Sequence, residues 1–137
     1  MKILSVDYGD ARTGLSVSDE LGLIATPLPT FATKSMRHAI DYVTDVAKEN
    51  GAELIVVGLP LNMDGSEGER AFKTKAFGRV LERVSGLKVV YQDERLTSVE
   101  AEAILREGNV RFEERKKLVD SLAARLILES YLDGIKK

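Results

Sequence analysis

The chain has no cysteine, one histidine, three prolines and no long apolar run. Without cysteine there is neither a disulfide framework nor a thiolate metal or redox site, a composition that fits a reducing compartment. The one histidine, His38, falls in a segment that reads as an amphipathic helix, so histidine-based acid–base chemistry is not expected. No stretch approaches the roughly 18 apolar residues of a membrane span. The first residues also lack a basic region followed by a long apolar segment. A cytoplasmic protein with no membrane partner is therefore expected. The net charge of −2 gives no global sign of nucleic-acid binding, so a polyanion would need a local basic patch or metal ions. What is present is a chain of 137 residues, 44% hydrophobic and 31% charged, which suits one compact domain over 1–137. It is long enough to bury a core without staples.

Lys2–Asp7 reads as a buried strand that ends in an acid. Across a turn at Gly9–Thr13, the stretch Gly14–Asp19 alternates Leu15 and Val17 with Ser16 and Ser18, the pattern of a half-exposed hairpin partner. A third strand around Leu23–Phe31 contains Pro27 and Pro29, which places it at an edge. The period then changes. Ile40, Val43, Val46 and Ala47 mark a helix, stopped by Asn50-Gly51. "ELIVVGLP" is a buried strand, followed by a polar loop through Asn62–Gly68. Ser66 and Glu69 suggest a capping box for a helix carrying Phe72, Ala76, Val80, Leu81 and Val84. "LKVVYQDER" is a further strand, Thr97–Glu100 a second capping box, and a last helix covers about Glu114–Leu132. A hairpin meander followed by alternating helices and strands predicts an α/β fold, a mixed sheet with helices on both faces.

In such sheets chemistry gathers at the carboxyl ends of strands, where Asp7, Gly58 and Glu94 stand. Asp120 is the third acid of interest. At 100° per residue, Leu118, Val119, Leu122, Ala123, Leu126 and Ile127 span an arc of about 180°, with Asp120 about 20° beyond Ile127. Leu128 and Leu132 fall outside that arc. Converging carboxylates raise one another's pKa, and a hard divalent cation resolves the conflict. Oxygen-only ligation suits Mg²⁺ or Mn²⁺. Two such ions about 4 Å apart are the arrangement for phosphodiester hydrolysis. Each acid also has a plainer reading. Asp7 can accept hydrogen bonds from its turn, Glu94 can pair with Arg95, and Asp120 can pair with Lys116. Asp93 stands beside Glu94 as an alternative.

Four stretches carry a more specific resemblance: "DYGDARTGLSVSD" (7–19), "VVGLPLNMDGSEGERA" (56–71), "DERLTSVEAE" (93–102) and "KKLVDSLAARLILESYL" (116–132). In this order the chain resembles the YqgF/RuvX family, ribonuclease-H-like nucleases associated with pre-16S rRNA maturation and with Holliday junction resolution. The resemblance implies a five-stranded sheet, three strands antiparallel and two parallel. It also implies that Asp7, Glu94 and Asp120 are the catalytic acids and hold the metals, with Glu94 preferred over Asp93.

Around these acids, Arg12 in the first turn suits a phosphate oxygen, and Asn62 in the long polar loop suits a phosphate or a base edge. Arg70, Lys73, Lys75, Arg79 and Arg83 outnumber the acids on the following helix, although a solvated helix face is the commoner explanation for such a run. The expected function is a metal-dependent endonuclease on structured RNA, with Arg12, Asn62 and Arg70 contacting substrate. Three alternatives stand beside it. A resolvase of branched DNA would need a symmetric dimer, for which Leu128 and Leu132 are the available apolar pair. An actin-like nucleotide site would need a second domain. A non-catalytic nucleic-acid-binding module is the last, and whether the protein is a monomer or homodimer is left open.

Overall fold

The structure, a computed structural model, describes residues 1–94, 103–104 and 112–135, with side chains in the last segment from residue 122 onward. Five strands form one sheet: β1 (Ile3–Tyr8), β2 (Arg12–Ser18), β3 (Ala25–Ala32), β4 (Leu54–Leu59) and β5 (Lys88–Asp93). Their order is β3-β2-β1-β4-β5. β2 pairs antiparallel with both β1 and β3, whereas β4 and β5 continue from β1 in parallel. This is the expected mixed sheet of the ribonuclease-H-like fold. The apolar run of β4 matches a strand covered on both faces. Pro27 and Pro29 lie on β3 at the edge, where a missing N–H breaks no interior ladder.

Helices α1 (Met36–Glu49) and α2 (Glu69–Ser85) cover one face, and α3 (Phe112–Ile135) covers the other. Ser35 caps α1 by accepting from the His38 N–H at 3.2 Å, and the chain leaves through Gly51 at φ +67°. Side-chain alternation along β1 sends Leu4, Val6 and Tyr8 toward α1 and α2, where they meet Ile40, Phe77 and Leu81. Tyr8 and Phe77 stack with centroids 4.1 Å apart. Ile3, Ser5 and Asp7 therefore face α3, whose Ile127, Leu128 and Leu132 complete the second core. Among the described residues no helix is long and apolar enough to cross a membrane.

Four expectations change. β2 is buried on both faces rather than half exposed, because its serines and that of β1 find partners inside the protein. Ser5 Oγ donates to the Ala124 carbonyl at 2.6 Å, Ser16 Oγ donates to the Thr26 carbonyl at 3.0 Å, and Ser18 Oγ accepts from the Ile3 N–H at 2.9 Å. Small side chains at Ala123 and Ala124 let α3 approach that stripe. Ser66 does not cap α2. The helix starts later with Gly68 as its N-cap, and Ser66 Oγ donates instead to Asp64. The core side of α2 is Ala71, Thr74, Phe77, Gly78 and Leu81, which leaves Phe72 and Val84 exposed. Leu128 and Leu132 are buried, so they are not a spare apolar pair for a second copy. The β2–β3 connection reaches over Leu132, and a Cβ on Gly22 would stand 3.4 Å from its Cδ2. The capping box at Thr97–Glu100 lies outside the described residues.

Candidate active site at the carboxyl end of the sheet

Because β1, β4 and β5 are parallel, their carboxyl ends open on the same edge. Asp7 stands there on the face that looks toward α3. Its partner on β2 is Gly14, which lies inside the strand rather than closing the turn. On the β4 side Gly58 follows Val57, the last residue in register with β1. Asp7 therefore has a glycine on each neighbouring strand, so neither strand puts a side chain of its own beside the Asp7 carboxylate.

Glu94 enters that space. Its N–H donates to the Leu59 carbonyl at 3.1 Å, which holds the backbone one residue past the end of β5. Strand alternation puts Glu94 with Gln92 on the α3 side, where Gln92 donates to Ser130 Oγ at 3.0 Å. Asp93 falls on the side of Tyr91. The Glu94 carboxyl lies over Gly58, so a Cβ on that glycine would be 2.6 Å from Glu94 Oε2. Burial raises the Glu94 pKa most, the Asp7 charge raises it further, and a hydrogen bond with Asp7 retains its proton. Asp93 adds a smaller push in the same direction, the Arg70 charge opposes it, and the outcome is about 9. At neutral pH the metal-free pair therefore shares one proton.

The family model described as "RuvX: Holliday junction resolvase" matches residues 1–134. The chain belongs to the RuvX family. A RuvX relative from Syntrophus aciditrophicus (strain SB), named "Putative pre-16S rRNA nuclease", is 44% identical over 137 residues, covering 100% of this chain and 91% of that protein. One from Lactococcus lactis subsp. cremoris (strain MG1363), with the same name, is 45% identical over 135 residues, covering 97% and 94%. In fold, the chain is similar to T. thermophilus RuvC in complex with Holliday junction substrate, with a TM-score of 0.60, 18% identity and coverage of 99% and 96%. It is also similar to the Fowlpox virus resolvase solved with Holliday junction DNA, with a TM-score of 0.64, 13% identity and full coverage of both chains.

The structure treats the remaining candidate residues unequally. Arg70, in the first turn of α2, is near enough to Glu94 to act on it electrostatically, and its Nη1 donates to Asp10 Oδ2 at 3.1 Å. Lys73 Nζ donates to the other Asp10 oxygen at 2.6 Å. Asp10 is thus a companion of Arg70 that sequence reasoning missed, and it is shared with Lys73, one of the α2 cations named from the sequence. Nothing local to the first turn signals that α2 will begin against it. Arg12 opens β2 and is exposed, after a turn so tight that a Cβ on Gly9 would stand 2.5 Å from the Arg12 carbonyl oxygen. Asn62 braces its own loop. Its Nδ2 donates to Ser66 Oγ at 2.9 Å, and its carbonyl accepts from the Gly65 N–H at 2.8 Å. Of the other α2 cations, Lys75 pairs with Glu67 at 2.8 Å. Asp120 lies on α3 one turn before Ala124, and its side chain is outside the described residues. Among the described residues no three His, Cys, Asp or Glu side chains group as a metal site, so the described acid site consists of the Asp7–Glu94 pair.

Proposed function

We propose that the chain is a metal-dependent endonuclease that hydrolyses phosphodiester bonds in structured RNA, acting in the cytoplasm on the 5′ end of pre-16S ribosomal RNA. The observation that carries this reading is the Asp7–Glu94 pair, two touching carboxyl groups at the carboxyl ends of the parallel strands of a mixed sheet. Such a pair suits a hard divalent cation, because it offers oxygen donors only and a cation can take the place of the proton that relieves its repulsion. Asp7, Glu94 and Asp120 would hold two Mg²⁺ or Mn²⁺ ions. Bound there, the ions supply Lewis-acid activation of water and neutralise charge on the phosphoryl group.

The chain's own residues set the geometry. β1 is a hydrogen-bonded arm that fixes Asp7, and the Leu59 carbonyl fixes the Glu94 backbone. Arg70 lowers the proton affinity of Glu94 and brings a guanidinium fork near the acids, suited to a backbone phosphate. Arg12 and the internally braced Asn62 loop would guide the substrate strand. The names of the Syntrophus and Lactococcus relatives support RNA as the substrate.

The family description favours a second reading, resolution of four-way DNA junctions. That activity calls for two symmetry-related sites. The apolar pair that would have served the contact, Leu128 and Leu132, is committed to the core. Incubation with Mn²⁺ and either structured pre-rRNA or a four-way DNA junction, beside an Asp7→Asn control, separates the readings. Cleavage of RNA by the native protein alone is expected. Cleavage confined to junctions would transfer the proposal to the resolvase reading, and binding without cutting would leave a non-catalytic module.

A further inference from the structure

Gly58 is buried in β4, between β1 and β5, where a glycine weakens a strand and usually marks a close approach by another group. Its backbone does not require one. The positive-φ glycines of the described residues are Gly22, Gly51, Gly65 and Gly86. What Gly58 supplies is space. A Cβ built there would stand 2.6 Å from Glu94 Oε2, 3.0 Å from Glu94 Cδ and 2.5 Å from Ile127 Cδ1. β4 is paired on both sides and cannot retreat. All three obstructing atoms lie at the far ends of two flexible side chains, so an added methyl group would move those side chains and leave the sheet in place.

We propose that Gly58 is a positioning residue: its missing side chain is the space in which the Glu94 carboxyl lies against Asp7, and a side chain there separates the two acids. The role of the pair rests on the nuclease reading above, whereas the steric claim does not.

Ile127 allows the two contacts of Gly58 to be tested apart, because Ile127→Val removes Cδ1 and relieves only the helix contact. Gly58→Ala, Ile127→Val and the double variant are compared by thermal melting in EDTA, Mn²⁺ titration calorimetry and cleavage of structured RNA. Gly58→Ala should fold, and the double variant should melt close to Ile127→Val. Both variants carrying Gly58→Ala should bind Mn²⁺ about 10–100-fold more weakly and cleave about 100-fold more slowly. A double variant that binds and cleaves like Ile127→Val overturns the proposal, since Gly58 then serves only helix packing. Failure of the double variant to fold also overturns it, because the proposal assigns the helix clash to Cδ1 alone. If Asp7→Asn cleaves normally, the reading of Asp7 and Glu94 as the nuclease centre fails, and the Mn²⁺ affinities still decide the place of Gly58.

Discussion

Replacing Glu94 by Gln should stabilise the metal-free protein. The folded carboxyl holds its proton up to a pKa of about 9, against an ordinary value of 4.5. Between those values the native state binds more protons than the unfolded chain, so stability falls as pH rises. The fall is at most about 1.4 kcal/mol per pH unit, which places the penalty near 3 kcal/mol at pH 7 and saturates it above pH 9. Glutamine removes the ionisation yet still donates a hydrogen bond to Asp7. Allowing for the desolvation of its amide, the expected gain at pH 7 is about 2 kcal/mol. Asp10, held low by its hydrogen bond to Lys73, and Asp19, held low by the Ile24 N–H, act as pH falls below their ordinary 3.8. They leave the window from 4.5 to 9 undisturbed. Urea unfolding in EDTA at pH 5, 7 and 9 reads the difference. The native protein should lose stability across the series, and Glu94→Gln should lack that slope. Parallel pH profiles for the two proteins would refute the shared proton.

Three other outcomes follow from the same geometry. Mn²⁺ binding at pH 7 should release a proton from the pair, read by calorimetry in buffers of different ionisation enthalpy, and equal heats would argue that Glu94 binds no metal. Leu128→Ala should cost about 2–5 kcal/mol in urea unfolding, because that side chain is fully buried between α3 and the sheet; a loss under 1 kcal/mol would place it at the surface. Arg70→Ala should weaken RNA binding and lower the salt slope by about one counterion, and an unchanged slope would mean that Arg70 touches no phosphate.

The sheet was legible wherever a strand is an apolar run, as in β1 and β4, or broken by proline, as in β3. Asp7 and Glu94 were legible because an acid at the end of such a run conflicts with the pattern around it. The serines of β2 misled because alternation reports polarity, and their partners lie on β1 and β3. Leu128 and Leu132 misled for a related reason. An arc drawn over Leu118–Ile127 describes an isolated helix, while Ala25 and the β2–β3 connection cover the far end of α3. Asp10 escaped notice because its partners Arg70 and Lys73 are sixty or more residues away and meet it only through the fold.

The central claim is that Asp7 and Glu94 together hold the metal that cuts RNA. Single-turnover cleavage of structured pre-rRNA at fixed Mn²⁺, by the native protein and by folded Asp7→Asn, tests it most directly. A loss of about 10²–10³-fold or more is expected on this one change of charge. An Asp7→Asn protein that cleaves at the native rate would contradict it.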